Sequence, residues 1–545
     1  MKLIPTERDA NAAPARPLSL RDDARFASGK IAFVQYFTVA AFLLLIARFW
    51  QLQVLNPDVY AARAERNRIR ALPILAPRGK ILDRDGRVIV DNQASYTLFL
   101  SRENLRPEHL DPICQGLDLD CADLRARLAR FDKSRPRYEP IMLRQELTPS
   151  ELAFVEAHRG QGTFPEMELI PYQRRLYPRG GVAAHVIGYI GEVSEEELNT
   201  AEFARYRPGD ILGKAGIERQ YNDVLMGIDG QRRVVVDNRG RHRQVIGMKE
   251  ATPGKTIRLS IDLDLQVVAE LAMENRRGAV VALDPRNGEA LAMVSRPNFD
   301  PNKFAGRIRR SDWNELARNP QNPLLNRVIQ AQLAPGSTFK PIVALAGLES
   351  GAIDDHFGVS CPGGAVFYGR YFRCHEKHYG GVTLHRGLVR SCDVYFYNVG
   401  NRVGIDRIAE YAEMTGLGRR TGIDLPHEAE GLVPSTRWKI RHYRQKWYAG
   451  ETISVAIGQG ALTVTPLQLA HAIGGLSVGG VWQRPHLLRD GAPRDPGRKG
   501  ELNMENVAKV IYGLFGVVNE GGTGVRARIP GVEVCGKTGT AQLVS

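Results

Sequence analysis

The sequence predicts an α+β protein with an N-terminal transmembrane helix, an elongated pedestal domain, and a second domain whose antiparallel sheet is covered by helices. Three observations support this prediction. The chain has 545 residues, which is too long for a single core. It has one long apolar run near its start. Beyond about residue 255, strand patterns come first, then many helical patterns, then a last strand pattern.

The apolar run covers residues 31–47, and residues 49–52 can extend it to the roughly 20 residues that a membrane-spanning helix needs. Six basic side chains precede it, which places the N-terminus in the cytoplasm. Arg48 and Trp50 suit the far interface of the bilayer. The nearest small-residue cleavage pattern, Ala62 to Ala64, lies too far away for a signal peptide. We therefore expect an uncleaved, single-pass anchor.

The expected organisation is a cytoplasmic tail (1–30), the transmembrane anchor (31–53), the pedestal (54–255) and the second domain (256–545). The turn residues Thr252, Pro253 and Gly254 mark the boundary between the last two.

The formal net charge of +14 indicates a basic surface facing anionic lipid or anionic cell-wall polymer. The arginines are spread along the chain, and no zinc-finger spacing or aromatic RNA-binding motif is present. The sequence therefore argues against a nucleic-acid partner.

Strand patterns occur at several places. Asp85 and Gly86 separate two apolar pairs and predict a hairpin. A second hairpin is predicted around residues 285–288. The other expected strands are Ile257 to Ile261 and a last strand from Val532 to Thr538.

The first chemical motif contains Ser337 and Lys340, three residues apart at the start of an apolar helix, where they share one face. A serine needs a base to become a nucleophile, and a buried lysine can serve once burial lowers its pKa. Alone, this spacing is common by chance.

Two further motifs follow at wide spacing. Ser391 and Asp393 flank Cys392 in the second motif. The third is Lys537-Thr538-Gly539-Thr540, where Gly539 allows a ligand to approach the backbone closely. The three motifs occur in the order known for β-lactamases and penicillin-binding proteins.

From about Tyr60 to its end, the chain resembles class B penicillin-binding proteins, and specifically those of the cell-elongation machinery. Supporting stretches include residues 185–189, 299–302, 421–426 and 457–460. Asp393 stands where Asn is usual across the wider superfamily, and this departure favours the elongation branch.

The resemblance implies a bacterial peptidoglycan D,D-transpeptidase that crosslinks stem peptides and is blocked by β-lactams. Ser337 would attack the penultimate D-alanine carbonyl of a stem pentapeptide, and Lys340 would take its proton. Ser391 would relay protons, and Asp393 would order Lys340. The backbone N–H groups of Ser337 and Thr540 would form the oxyanion hole.

In the third motif, the resemblance implies that Lys537 adds positive charge. Thr538 and Thr540 would hold the terminal carboxylate of the substrate, while Gly539 leaves room for it.

The resemblance also implies a location and partners. The anchor would lie in the bacterial inner membrane, with the bulk of the chain in the periplasm. The pedestal would be of the dimerisation type. It would bind a glycan polymerase of the shape, elongation, division and sporulation (SEDS) family, together with elongation scaffold proteins.

Four residues form a candidate metal site: Cys361, Cys374, His378 and Cys392. His375 lies in the same stretch and is the alternative histidine ligand. Three thiolates and one imidazole suit tetrahedral zinc, which would be structural because no position stays open. Some relatives in the elongation branch resemble this pattern. The alternative is a Cys361–Cys374 disulfide with Cys392 free. The acyl-transfer chemistry itself requires no cofactor.

The remaining cysteines have separate predictions. Cys114 and Cys121 could form a small surface disulfide. Cys535 is expected to be a buried strand residue, because free cysteine behaves as a small hydrophobe.

Two other functions stay open. In a carboxypeptidase or β-lactamase, water replaces the acceptor amine, although the anchor and pedestal argue against a β-lactamase. A non-catalytic activator or sensor of a glycan polymerase is the other alternative. The resemblance implies further strands and a helix after Thr540, so we expect the C-terminal end of the second domain to be missing from this 545-residue sequence.

Overall fold

The computed structural model describes residues 28–55, 58, 69–102, 105–134, 140–144, 147–160, 162–206, 210–236, 242–306, 308, 310–490 and 496–541. Most of the predicted cytoplasmic tail, residues 1–27, lies outside these ranges.

The described helices begin with the apolar helix and are most frequent after residue 336. In chain order they are α1 (Ser28–Trp50), α2 (Leu110–Gly116), α3 (Cys121–Ser134), α4 (Pro149–Gly160), α5 (Ala184–Ile187), α6 (Glu195–Leu198), α7 (Gly216–Gln220), α8 (Asn222–Leu225), α9 (Leu263–Met273), α10 (Arg310–Ala317), α11 (Arg327–Gln330), α12 (Lys340–Glu349), α13 (Leu384–Val389), α14 (Asp393–Val403), α15 (Ile405–Met414), α16 (Thr436–Tyr443), α17 (Ala449–Val455), α18 (Pro466–Ser477) and α19 (Met504–Asn519).

The described strands are concentrated before residue 300. In chain order they are β1 (Ile69–Ile74), β2 (Ile81–Leu82), β3 (Val88–Leu100), β4 (Ile141–Arg144), β5 (Met167–Leu176), β6 (Ile190–Glu192), β7 (Ile211–Gly213), β8 (Gly230–Val236), β9 (His242–Lys249), β10 (Ile257–Arg258), β11 (Gly278–Leu283), β12 (Ala290–Arg296), β13 (Val359–Cys361), β14 (Gly364–Phe367), β15 (Arg370–Arg373), β16 (His378–Val382), β17 (Val481–Trp482) and β18 (Arg498–Lys499).

The chain divides into two compact units. The first comprises residues 1–72 and 233–247 and contains α1, most of β1 and much of β8 and β9, which pair in the order β1-β8-β9. Residues Ile31–Leu55 form a helix of 25 residues whose hydropathy suits a bilayer and whose side chains are not buried among the described residues. This agrees with the predicted anchor in place and length.

The second unit comprises residues 73–232 and 248–545. Its first half is organised around the long strand β3, which pairs antiparallel with β2, β4 and β5. The hairpin predicted at Asp85 and Gly86 is confirmed, since β2 and β3 pair across that turn. The predicted Cys114–Cys121 disulfide is present beside the core formed by α2, α3 and the end of β3.

A buried ion pair lies where these strands meet the following helices. Glu218 is fully buried and contacts the guanidinium groups of Arg175 at 2.7 Å and Arg78 at 2.6 Å. Arg175 also donates to the carbonyl of Gly79. Because an unpaired buried charge is destabilising, these contacts fix the two arginine-bearing segments against α7.

In the second half, the antiparallel hairpin β11–β12 forms as predicted around residues 285–288. The predicted strand from Ile257 to Ile261 is shorter, because only β10 pairs, in parallel, with β2. The Leu259 N–H still donates to the Leu82 carbonyl of β2, and the next residue changes partner, since the Ser260 N–H donates to the carbonyl of Leu487. Helix α12 is buried along nearly its whole length, at the centre of the largest core.

The predicted last strand from Val532 to Thr538 is wrong for the described structure. Apart from one bridge between Ile529 and Val532, this segment is extended without a ladder partner among the described residues. Helix α19 holds it instead, because Gly536 donates to Leu514 and the Asn519 side chain donates to Val534. With no neighbouring strand, Cys535 is exposed, and the prediction that it is buried is also wrong.

Candidate active site and metal centre

Ser337 lies in a short 3-10 turn, Gly336–Phe339, that leads directly into α12. Phe339 and Lys340 are buried, whereas Ser337 is half-buried and faces the surface. Among the described residues, its hydroxyl has no hydrogen-bond partner. The core therefore anchors the helix on which the candidate nucleophile sits, and the hydroxyl stays accessible to a substrate.

Backbone packing fixes the turn that carries Ser337. Gly336 has φ +56° and donates its N–H to the carbonyl of Gly458 at 2.9 Å. A side chain at Gly458 would overlap the Gly336 backbone, and one at Gly336 would overlap the carbonyl of Thr540. Three distant segments can therefore meet here only because two of the positions lack a Cβ.

Lys340 connects the first and second motifs. Its side chain is 0% exposed, and its Nζ donates to the Ser391 carbonyl and to Asp393 Oδ1, both at 2.7 Å. Ser391 Oγ lies 3.3 Å away, and the Phe396 ring lies under the ammonium at 5.4 Å. Burial lowers the pKa of Lys340 below its ordinary value, although the Asp393 carboxylate opposes that shift.

Ser391 and Asp393 are positioned by the start of α14. Ser391 has φ +56°, a left-handed conformation that turns its hydroxyl toward the lysines. Asp393 is the first residue of α14, where a carboxylate is favoured by the helix dipole. Burial alone would raise the pKa of Asp393, but the nearby His375 ring and the charge of Lys340 lower it to about 2.

The third motif lies against the first. Lys537 Nζ donates to Ser391 Oγ at 2.8 Å. Burial and the nearby charge of Lys340 lower the pKa of Lys537 to about 7. Thr538 Oγ1 is 2.6 Å from Thr523 Oγ1, and a side chain at Gly539 would crowd Pro335 and Thr338. The five predicted catalytic residues and the three predicted substrate-binding residues therefore surround one cleft.

Sequence reasoning missed several residues that shape this cleft. Gln459 Nε2 donates to the Thr540 carbonyl at 3.2 Å, and Gly458 supports Gly336. Both lie in a stretch that had marked the family resemblance but had received no role. His375 was considered only as a metal ligand. Its Nδ1 lies 3.7 Å from Asp393 Oδ2, and the attraction of that carboxylate raises the pKa of His375 to about 9.

The four predicted metal ligands come together in space. The sulfurs of Cys361, Cys374 and Cys392 and a ring nitrogen of His378 all lie within 4.8 Å of one another. His378 Nδ1 is 3.3 Å from Cys361 Sγ and 3.8 Å from Cys374 Sγ. A tetrahedral zinc site with these atoms has N···S edges of about 3.5 Å, so the cluster has the right size for the ion.

One thiol of the cluster, that of Cys374, is acidic. Hydrogen bonding from Cys392 lowers the pKa of Cys374 to about 3, and the same contact raises the pKa of Cys392. The Asp393 N–H donates to Cys374 Sγ at 3.2 Å, which also favours a thiolate. His378 Nε2 is buried without a hydrogen-bond partner among the described residues, although Glu376 lies 3.3 Å away.

The alternative Cys361–Cys374 disulfide is not formed, because Cys361, Cys374 and Cys392 are all free. Of the two histidines, His378 is buried inside the cluster, whereas His375 lies on its exposed side next to Asp393. The cluster can therefore hold a metal ion through Cys361, Cys374, His378 and Cys392.

A half-buried serine, a buried lysine on the next helical turn and two further polar motifs around one cleft are typical of serine acyl transferases of the penicillin-binding class. Residues 278–545 match the penicillin binding protein transpeptidase domain, and residues 73–259 match the penicillin-binding protein dimerisation domain.

The chain is also similar to individual penicillin-binding proteins. The peptidoglycan D,D-transpeptidase MrdA of Acinetobacter baumannii is 36% identical over 96% of this chain and 80% of its own length. PBP2 in its complex with MreC from Helicobacter pylori has a TM-score of 0.77 and 29% identity, over 87% of this chain and 89% of that chain. A chain from a peptidoglycan synthase complex that coordinates polymerization and crosslinking has a TM-score of 0.69 and 32% identity. The match covers 95% of this chain and 89% of that chain.

The chain belongs to the PBP2/MrdA family of class B penicillin-binding proteins. It is a serine-type peptidoglycan D,D-transpeptidase of the elongation machinery and a penicillin target, so the predicted family and enzyme class are confirmed.

The packing of Gly458 on Gly336 generates a prediction. Gly458→Ala should slow acylation by benzylpenicillin about a hundredfold, because the new methyl group must displace the turn that carries Ser337. Gly460→Ala is the matched control. Gly460 has φ +75° against +74° for Gly458, but its nearest neighbouring atom would be 3.6 Å from the added Cβ. Equal acylation rates of the two variants in a stopped-flow assay would contradict the prediction.

Proposed function

We propose that Ser337 is the nucleophile and Lys340 the general base of the transpeptidation. The observation that carries this assignment is the fully buried Lys340 ammonium, whose pKa burial lowers and which lies three residues from an accessible serine. In its neutral form Lys340 takes the Ser337 proton as Oγ attacks the penultimate D-alanine carbonyl of a stem pentapeptide. The bond to the terminal D-alanine then breaks and leaves an acyl-enzyme.

Ser391 is proposed to carry the proton between Lys340 and the amines. Its Oγ lies between the two lysines, at 3.3 Å from Lys340 and 2.8 Å from Lys537. The departing D-alanine amine receives the proton by this route. When the amine of a second stem attacks the acyl-enzyme, Ser391 passes the amine proton to Lys340. The bond between the acyl carbon and Ser337 Oγ then breaks, Lys340 returns the proton to Ser337 Oγ, and the crosslink is complete. Attack by water instead would be carboxypeptidase activity.

The developing oxyanion is proposed to bind the backbone N–H groups of Ser337 and Thr540, which lie on segments in direct contact. Asp393 holds Lys340 in place. Lys537 adds positive charge, and Thr538 and Thr540 bind the terminal carboxylate of the substrate. Gly539 allows this segment to pack closely on Pro335 and Thr338.

The nucleophile is tested by intact-mass measurement after benzylpenicillin treatment. The parent chain should gain one adduct, and both Ser337→Ala and Lys340→Ala should gain none, because one lacks the attacking oxygen and the other lacks the base. Ser350→Ala, at the far end of α12, is the control and should label like the parent. Labelling of the Ser337→Ala variant would place the nucleophile elsewhere.

The pKa of Lys537, about 7, predicts the alkaline limb of the pH profile. A lysine with a lowered pKa is charged below about 7 and loses its charge above it. The acylation efficiency toward the carboxylate-bearing benzylpenicillin should therefore fall as pH rises through about 7.

Lys537→Arg should keep the charge, because arginine titrates above about 12, and should remove this alkaline limb while leaving the acid limb in place. An alkaline limb unchanged in the arginine variant would show that another group causes it.

A structural zinc ion is proposed at Cys361, Cys374, His378 and Cys392. The spacing of the donor atoms, the thiolate at Cys374 and the soft donor set fit zinc. Four protein ligands leave no open position, so the ion supplies no chemistry to the reaction. Because Cys392 directly precedes Asp393, its ligation would hold the start of α14 in place.

Purified protein should contain about one zinc per chain, and a chelator should lower its melting temperature and slow acylation, since structural zinc sites contribute roughly 10 kcal/mol or more. A reductant should have no such effect. Cys361→Ser should lose the metal, whereas the control Cys535→Ser, outside the cluster, should retain it. Zinc far below one equivalent, together with a Cys361–Cys374 bridge in a peptide map, would refute the site.

The location and partners follow from the anchor and the relatives. The helix Ile31–Leu55 is proposed to span the bacterial inner membrane once, with the N-terminus in the cytoplasm and the bulk of the chain in the periplasm. Residues 54–255 are proposed as the pedestal and 256–545 as the catalytic domain. The pedestal would bind a SEDS-family polymerase and scaffold proteins of the MreC kind, as the complexes of its structural relatives suggest.

The polymerase partnership is tested by reconstitution in vesicles. Glycan polymerisation should rise when this chain is added to a SEDS-family polymerase. The Ser337→Ala chain should raise it equally, because pedestal contacts do not need the nucleophile. A polymerisation rate independent of the chain would end this proposal.

A further inference from the structure

Residues 436–448, which comprise α16 and the loop after it, form a basic–aromatic segment. They contain five cations and no acidic residue. They also contain four aromatic residues, Trp438, Tyr443, Trp447 and Tyr448. Within the part of the chain that the structure describes, only Lys439 of the five cations has a carboxylate partner, Glu451. The other cations, Arg437, Arg441, Arg444 and Lys446, form no ion pair within the described residues. Asp406, which accepts from the Thr436 N–H and lines a cavity with Arg437 and Arg441, offsets only part of this positive charge.

Tyr448 is held at the end of this segment with its ring 52% exposed. The Lys439 ammonium lies 4.7 Å from the centroid of the Tyr448 ring, and the Lys446 ammonium lies 5.7 Å from the same centroid. The neighbouring Trp447 donates its indole N–H to Thr452 Oγ1 at 2.9 Å. These contacts fix the loop, so the exposed ring is presented in a defined position.

Tyr368 lies on the facing hairpin in a strained conformation. It has φ +51° in the two-residue turn between β14 and β15, where Asn or Gly is preferred. Its ring is 62% exposed, and its hydroxyl is hydrogen-bonded to Asn401 Oδ1. The ring lies against Gly450, two residues after Tyr448. The strained backbone costs free energy, and such strain at an exposed aromatic residue points to a functional role for its side chain.

Two short segments connect these residues with the candidate active site. Helix α17 begins directly after Tyr448, spans about 10 Å, and leads to Gly458, whose carbonyl accepts from the N–H of Gly336 beside Ser337. On the other side, the hairpin of Tyr368 ends next to Cys374, whose sulfur accepts from the N–H of Asp393.

We propose that Tyr368, Tyr448 and the cations of the basic–aromatic segment bind a glycan strand of peptidoglycan and so hold the polymer while its stem enters the cleft. The apolar C–H faces of sugar rings pack on exposed tyrosine rings, whose π faces are electron-rich. The unpaired cations complement the carboxylates of the attached peptide stems. This inference rests on the proposed transpeptidase function and adds a polymer-binding surface to it.

The test measures binding of the full-length chain in detergent to purified, uncrosslinked glycan strands that carry pentapeptide stems. Two substitutions remove the rings without disturbing the backbone. Tyr368→Asn places a residue that tolerates positive φ at the turn, and Tyr448→Ser places a good N-cap before α17. The double variant should bind the strands about tenfold more weakly, since each lost ring contact removes of the order of a few-fold in affinity. Its rate of benzylpenicillin acylation should stay within about twofold of the parent.

Tyr96→Thr, at an exposed position on β3 of the pedestal, is the control and should bind strands like the parent. Lys446→Gln should weaken binding of stem-bearing strands but leave strands stripped of stems unaffected, because the charge contacts the carboxylates. Strand binding by the double variant equal to that of the parent would overturn the proposal, as would a parent that binds no strands. A parent that binds strands but takes up no penicillin would instead refute the assignment of Ser337 and leave the polymer surface standing.

Discussion

The burial of the Lys340 ammonium is the constraint on which the catalytic half of the molecule depends. Removing a cation from water costs several kcal/mol unless charges and hydrogen bonds compensate it. Asp393 and the Ser391 carbonyl supply that compensation, each at 2.7 Å, and both come from the turn that begins α14. Helices α12 and α14 must therefore pack in one register, and the same register brings Ser391 within reach of Lys537. A lysine that is destabilised as a cation but held by a carboxylate is poised to take and return a proton.

A second polar network links this half to the pedestal. Tyr221, at the end of α7, donates to Asp424 Oδ2 at 2.7 Å, and Asp424 also accepts from the Leu487 N–H. The Arg84 carbonyl, in the β2–β3 turn, accepts from the side chains of Arg258 and Arg489. A relative displacement of the two halves would break several hydrogen bonds together, so these contacts connect the two halves.

The features that were predicted correctly depend mainly on residues that lie close together in the sequence. The anchor follows from hydropathy, and the two confirmed hairpins follow from turns at Asp85-Gly86 and Asn287-Gly288, where the preference resides in adjacent residues. The convergence of Cys361, Cys374, His378 and Cys392 was predictable because soft donors at such spacing have few other roles. The features that the sequence did not predict depend on contacts between residues far apart in the chain. The 532–538 segment has strand composition, but a strand exists only where a partner accepts its hydrogen bonds. The support of Gly336 by Gly458 joins residues more than a hundred positions apart, and composition gives no sign of it.

The excursion between β13 and β16 carries both the metal cluster and Tyr368. Isolated two-stranded hairpins are marginally stable, and this excursion consists of two of them, β13–β16 and β14–β15. Its inner side is held by packing of Phe367 and Phe372 against Tyr397 of α14. Its base is held at the cysteine cluster, which adjoins Asp393, and its tip carries Tyr368. A metal ion at the base would therefore order both Asp393 and the hairpin tip that carries Tyr368. The proposed catalytic site and the proposed polymer-binding surface would then depend on the same few residues.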